Sequence, residues 1–256
     1  MNRELSSKTH RIFYPVPRKL TESVAITDQG IIHYIKDVLR LKPEDILALF
    51  DGGGREYLCR IEKIEKRCVD VRILEKKTAP VSSRPFVAVA CAIPKNTKIE
   101  DIIDKLTQLG VDRIIPMLTD RVIVRFNEQK KAHKFERWQK IAVAASRQSG
   151  RMVLPIIDPI RTFDEVIAES SGFLQRFIPT LEGDRKNISE IKAHSSESIL
   201  FLIGPEGDFS SAEIILARKQ GFIPVSLGEL VLRVDTAAIA VAGFIRFLCM
   251  DSAPSV

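Results

Sequence analysis

No stretch of this chain approaches the ~18 consecutive apolar residues that a membrane-spanning helix requires, so no membrane span is expected. The opening run Met1-Asn-Arg-Glu-Leu-Ser-Ser-Lys lacks the apolar core and cleavage pattern of a secretory signal, and a cytoplasmic protein is expected. Cysteine is sparse: Cys59, Cys68, Cys91 and Cys249 are widely spaced and form no Cys-x-x-Cys. That spacing excludes a disulfide or zinc framework and leaves reduced core residues. The four histidines, His10, His33, His133 and His194, have no metal-ligand spacing, so no metal site is expected. Internal repeats and low-complexity segments are also missing. What remains is an ordinary globular composition, 45% hydrophobic and 28% charged, long enough for one large domain or two modest ones.

The net charge of +6 is modest, but its placement is uneven. Residues 121–151 carry nine Lys/Arg against Glu128 and Glu136, a local charge of +7. Residues 1–20 add Arg3, Lys8, Arg11, Arg18 and Lys19 against Glu4, which leaves the rest of the chain net acidic. Two basic segments in an otherwise acidic chain suit a polyanionic partner, with a solvated helix face as the alternative reading.

Residues 1–77 read mostly as strand. Asp45 to Phe50 ends in the turn Asp51-Gly-Gly-Gly54, and Arg55 to Glu62 and Arg67 to Glu75 alternate charged and apolar residues with period two. With a helix over Ile31–Leu39, this pattern suggests a small β-barrel. Residues 78–85 are Pro/Ser-rich and read as a linker. From Phe86 strands and helices alternate, the signature of a mostly parallel sheet covered by helices. Ile99, Ile102, Ile103, Leu106 and Leu109 lie on one helical face, with Gly110 as the stop. Further strands are expected at Phe86–Ile93, Arg113–Met117, Val153–Ile157, Gly172–Ile178, Ile199–Ile203 and Ile223–Leu227. At ~100° per residue, a helix over Lys134–Ser149 puts Phe135, Trp138, Ile141, Ala142 and Ala145 on one face and Arg137, Lys140 and Arg147 beside it. Ala237–Met250 is a nearly uncharged helical run that must be buried in a core or a subunit seam.

The most informative segment is Ile199 to Glu213. A five-residue apolar strand runs into Gly204-Pro205-Glu206-Gly207, and Ser210 with Glu213 forms a capping box for the next helix. Strand, glycine loop and helix start place free backbone N–H groups at the carboxyl end of a sheet, where α/β proteins bind small ligands. The loop is neither a P-loop nor Gly-x-Gly-x-x-Gly, so a phosphate cradle is not expected.

Gly-Pro-Glu-Gly after a strand, followed by Leu227-Gly228, then Leu232-Arg233 and Thr236-Ala237, resembles the RsmE family of the SPOUT class of RNA methyltransferases. Supporting segments run along the chain: Arg11-Ile-Phe, Val38-Leu-Arg-Leu41, Pro94-Lys95, Leu109-Gly-Val111, Thr119-Asp-Arg121 and Gln148-Ser-Gly-Arg151. Two positions depart from the pattern. Asp208 stands where the family has the second glycine of Gly-Gly-Phe, and Arg147 precedes Gln148 where the family has Glu. The resemblance implies an α/β fold: a C-terminal, trefoil-knotted, mostly parallel sheet over residues 86–251, with an N-terminal PUA-like RNA-binding barrel. It implies methyl transfer from S-adenosylmethionine to N3 of a uridine in the decoding region of 16S ribosomal RNA, by a homodimer acting on the assembled 30S subunit. The cofactor would lie among Thr180 and Leu181; Leu202, Ile203, Gly204, Pro205 and Gly207; and Leu227, Gly228, Val231 and Leu232. Uridine N3 carries a proton, so a base or an anion-stabilising group is required. Arg233 is the first candidate for the anion and Glu206 or Asp235 for the proton; an ion pair of Arg233 with Glu206 or Asp235 is the competing reading, as is capping of the last helix for Asp235. Arg11, Arg121, Arg125, Arg147 and Arg151 are candidate RNA contacts. The alternatives are a non-catalytic RNA-binding assembly factor and a SPOUT enzyme with another RNA target.

Overall fold

The strand patterns in the sequence become two separate sheets. The computed structural model describes residues 9–15, 22–81, 84–95, 98–122, 127–181, 183–194 and 196–248. Arg125, the basic residues Arg3, Lys8, Arg18 and Lys19, and the expected helix end at Cys249 and Met250 lie outside these residues. The chain divides into two units, Met1–Pro80 with Ser146–Leu154, and Val81–Ala145 with Pro155–Val256. This differs from the linear division at 1–77, 78–85 and 86–251, because residues 146–154 join the first unit.

In the first unit, strands β1 (His10–Phe13), β2 (Ser23–Ile26), β3 (Ile46–Phe50), β4 (Arg55–Ile64) and β5 (Val69–Thr78) form one sheet in the order β1-β3-β4-β5-β2. Only the β1–β3 pair is parallel. Alternation buries Tyr57, Cys59 and Ile61 of β4 against Leu47, Leu49, Val69 and Val71, while Arg60 and Glu62 face solvent. Register shifts at Leu58/Cys59 and Ile61/Lys63 mark irregularities that bend β4. Among the described residues β1 and β2 are the two edges of an open ladder, so no closed ring of strand pairs is seen. The expected Ile31–Leu39 helix is α1 (Gln29–His33), capped by Asp28 accepting from the Ile31 amide at 2.9 Å, followed directly by a π-helical turn over Tyr34–Val38.

In the second unit, β6 (Phe86–Ala92), β7 (Arg113–Leu118), β8 (Ile156–Ile157), β9 (Arg161–Thr162), β10 (Gln175–Pro179), β11 (Lys186–Asn187), β12 (Ser198–Ile203) and β13 (Ile223–Ser226) make an all-parallel sheet. Their order is β11-β13-β10-β12-β6-β7-β8, with β9 also on β7. Helices α2 (Ile99–Gln108), α3 (Glu128–Ser149), α4 (Phe163–Glu169), α5 (Ser211–Lys219) and α6 (Val234–Leu248) connect or cover the strands. Strand β12 divides the core by its pleat. Ile199, Phe201 and Ile203 join the cluster that holds α2, Trp138 of α3 and α6, whereas Leu200 and Leu202 join Phe163, Phe209 and Ala217 on the opposite side. From β12 the chain passes through α5 to β13 on the far side of β10, and α6 then returns to pack on β6, β12 and α2.

Several boundaries differ from the sequence reading. The expected Val153–Ile157 strand shrinks to Ile156–Ile157, while Val153 bridges Gly53 in the first unit; Pro155 between them has no amide to donate. The Gly172–Ile178 strand starts only at Gln175, since Ser170–Gly172 forms a 3₁₀ turn. Helix α3 begins at Glu128, where the Asn127 side chain accepts from the Lys130 amide at 2.9 Å. Its apolar face is the one expected, with Trp138, Ala142 and Ala145 buried. Cys59 and Cys91 are free and buried; burial pushes the Cys59 thiol up to about 12 and raises that of Cys91 as well. None of the described helices is long and apolar enough to cross a membrane.

Candidate functional site

Three chain reversals follow the carboxyl ends of the adjacent strands β10, β12 and β13. Together they wall a cleft of about 570 Å³ that opens to solvent. Thr180 and Leu181 come from the first reversal, Ile203, Gly204, Pro205 and Glu206 from the second, and Leu227, Gly228, Val231 and Leu232 from the third. Nine of the eleven residues expected around a cofactor therefore converge. The two that do not have clear physical reasons. Leu202 points to the opposite face of the sheet from Ile203, and an added Cβ on Gly207 would face Arg121 at 3.6 Å rather than the cleft.

The second reversal is held at both ends. Ser210 caps α5 in a reciprocal box with Glu213, whose carboxylate also accepts from the Asp120 amide at 3.0 Å. The Ser210 hydroxyl donates to the Asp120 carboxylate at 2.7 Å, and Arg121 donates to the Gly207 carbonyl. Glu206 accepts from the Lys95 amide at 3.1 Å. Phe209 is buried against Phe163, ring centroids 5.6 Å apart, and an ideal Cβ on Gly204 would stand 3.0 Å from the Phe209 ring. Gly204 is thus required by packing beneath the loop. Asp208 adopts φ 62° and turns its carboxylate to the first reversal, accepting from Thr180 Oγ1 at 3.0 Å and the Leu181 amide at 2.9 Å.

The third reversal uses Gly228 at φ 117°, a conformation that glycine adopts without strain. Beyond it Leu230 and Val231 are 78% and 70% exposed. Arg233 is exposed and lies between Leu232 and Val234, both of which line the cleft. Among the described residues it forms no ion pair with Glu206 or Asp235, the competing role considered for it. Asp235 falls inside the first turn of α6 and accepts from the Thr236 amide at 2.9 Å.

The cationic residues separate into different environments. Arg11 is 15% exposed and engaged within the first unit. It pairs with Glu56 at 2.6 Å, donates to the Ser146, Arg147 and Arg151 carbonyls at 2.9, 3.1 and 3.2 Å, and lies 4.5 Å from the Phe50 ring centroid. Beside the RNA contact expected of it, Arg11 thus has a structural role, its guanidinium holding the carbonyls at the end of α3. Arg147 lies 5.0 Å from the Tyr34 ring centroid, and Arg151 donates to the Val153 carbonyl at 2.5 Å. On α3 of the second unit, Lys130, His133, Lys134 and Arg137 border a shallow hollow beside Glu100, which pairs with Arg137 at 3.4 Å.

Sequence reasoning left Arg185, Leu230 and Asp208 out of the site, and all three line the cleft. Arg185 donates to the Thr180 carbonyl at 2.9 Å, and no sequence spacing signals that approach. Asp208 carried a signal, a charged residue in a glycine-rich loop at a strand end.

Residues 82–246 match the family described as RNA methyltransferase domain, and residues 26–74 match the RNA methyltransferase PUA domain. The chain is 32% identical over 243 residues to the Ribosomal RNA small subunit methyltransferase E of Rickettsia conorii, covering 94% of this chain and 96% of that protein. It is 29% identical over 216 residues to the Ribosomal RNA small subunit methyltransferase E of Bacillus subtilis, covering 81% and 84%. The crystal structure of a Ribosomal RNA small subunit methyltransferase E from Neisseria gonorrhoeae bound to S-adenosyl methionine matches with a TM-score of 0.83 at 29% identity, covering 94% of this chain and 98% of that one.

Proposed function

The chain belongs to the RsmE family of SPOUT RNA methyltransferases, and on that premise we propose that it transfers the methyl group of S-adenosylmethionine to N3 of a uridine in the decoding region of 16S ribosomal RNA. The observation that carries this reading is the convergence of three reversals from adjacent parallel strands on one cleft flanked by an arginine that forms no ion pair among the described residues. The cleft fits the cofactor by its chemistry. Ile203, Leu227, Val231 and Leu232 offer apolar surface for a flat base, and Gly204 and Gly228 leave backbone open for hydrogen bonding.

When bound, S-adenosylmethionine supplies a methyl group on a sulfonium that is itself the leaving group. The chain's own work is to bind, to orient and to manage one proton. Thr180, Leu181 and the 203–205 segment hold the nucleoside edge, and Leu227 to Leu232 cover it. Arg233 stabilises the negative charge that spreads to the uracil carbonyl oxygens as N3 loses its proton, a role suited to an exposed guanidinium with no carboxylate partner among the described residues. Glu206 accepts that proton. Arg121, Arg147, Arg151 and the Lys130–Arg137 face of α3 meet the phosphate backbone of an unpaired target segment, and Arg125 is a further candidate outside the described residues. The assembled 30S subunit is the substrate, and the enzyme acts in the cytoplasm. The apolar side chains left exposed on α6 and the loop before it, Leu230, Val231, Ile239 and Phe247, support a homodimer seam. Sedimentation at twice the 28.8 kDa chain mass checks the dimer, and a monomer at all concentrations excludes it.

Mass mapping of ribosomal RNA from a strain lacking the protein tests the reaction. The map is expected to lose one N3-methyluridine, regained with the wild-type chain and not with Arg233→Ala. An unchanged map, or loss of a different modification, overturns the assignment.

A further inference from the structure

Three charged side chains line the cleft: Arg185, Glu206 and Asp208. None is neutralised by an opposite charge among the described residues. Arg185 donates to the Thr180 carbonyl, Glu206 accepts from the Lys95 amide, and Asp208 accepts from Thr180 Oγ1 and the amides of Leu181 and Phe209, at 3.0, 2.9 and 2.8 Å. Every one of these partners is a neutral group. The lining therefore presents two negative charges and one positive charge, with Arg233 exposed at its flank.

Asp208 holds its position against a conformational penalty. Its φ of 62° is the left-handed region, where a residue with a Cβ is disfavoured and glycine is not. Two of its hydrogen bonds, from Thr180 and Leu181, fasten the reversal after β12 to the reversal after β10, and the third, from the Phe209 amide, lies within its own loop, so the carboxylate is fixed at the cleft wall rather than free to swing into solvent.

This charge set is the inverse of one ligand's. S-adenosylmethionine carries a sulfonium and an ammonium, both positive, and one carboxylate. The product of methyl transfer, S-adenosylhomocysteine, keeps the ammonium and carboxylate and loses the sulfonium charge. Resting on the reading of this cleft as the cofactor site, we propose that Asp208 is a specificity-determining residue that makes the cleft prefer the cationic methyl donor over its neutral spent product. The preference is electrostatic, so it is exerted without any contact that distinguishes the two molecules by shape. It favours product departure after each turnover.

Calorimetry on the full chain with S-adenosylmethionine and S-adenosylhomocysteine tests this through the ratio of the two dissociation constants. In Asp208→Asn and Asp208→Gly the preference for the donor is expected to fall by about three- to tenfold, the size of one removed charge interaction across a partly solvated cleft. In the wild-type chain the preference is expected to shrink as salt is raised, since mobile ions screen charges near solvent. The salt series needs no variant, so a ratio indifferent to salt overturns the proposal even if neither variant folds. A ratio within twofold of wild type in a folded variant, or a wild-type ratio indifferent to salt, overturns the role of Asp208 while leaving the cleft as the cofactor site. Failure of the wild-type chain to bind either compound removes the cofactor reading itself, and the role of Asp208 with it.

Discussion

Gly204 shows how closely a single position is constrained. A side chain there meets the Phe209 ring at 3.0 Å, and Phe209 is only 2% exposed and packed on Phe163. Gly204→Val is therefore expected to lose about 1–3 kcal/mol of stability through overpacking and also to abolish S-adenosylmethionine binding. Thermal unfolding and calorimetry measure the two effects, and wild-type values in both contradict the loop geometry. Gly204, Gly228 and the Ser210–Glu213 cap were legible in the sequence because each answers a local demand: a turn, a positive φ, a helix start. The side-chain direction of Leu202 was not legible because an apolar run gives no phase; only the pleat of β12, fixed by its neighbours, sends Ile203 to one face and Leu202 to the other. Asp208 contacts Thr180 and Leu181, 28 and 27 residues away in sequence, and Arg185 contacts Thr180, five residues away; neither approach follows a motif.

At the scale of elements, the end of α3 depends on a distant strand. Arg11 of β1 satisfies carbonyls of Ser146, Arg147 and Arg151 and pairs with Glu56, four interactions from one side chain. Arg11→Ala leaves a partly buried carboxylate and three carbonyls without that partner and is expected to cost about 2–4 kcal/mol. Arg11→Lys keeps the charge but not the planar fork, and is expected to recover only part of the loss. Chemical denaturation of both variants checks the order, and an Arg11→Ala variant with unchanged stability but weakened RNA binding would return Arg11 to the RNA surface. Helix existence was legible here, since the spacing of Phe135, Trp138 and Ala142 marks one face. The role of Arg11 was not, because a basic residue near a chain start looks the same whether it meets a phosphate or a helix end 135 residues away.

At the scale of the whole molecule, alternating strand and helix patterns suffice to identify a parallel sheet, and two basic segments suffice to suggest a nucleic-acid partner. Periodicity does not report which strand lies beside which: the placement of β13 beyond β10, and of residues 146–154 with the first unit, are non-local results of packing. That placement is what brings three loops, separated by up to about fifty residues, to one rim of the sheet, and on it rests the claim that this rim grips the methyl donor. Amide chemical-shift mapping during titration with S-adenosylmethionine tests the claim most directly. The amides of Leu181, Gly204, Gly228 and Leu232 are expected to shift together and to saturate at one equivalent per chain. Saturable shifts centred elsewhere, or none at millimolar donor, would contradict it.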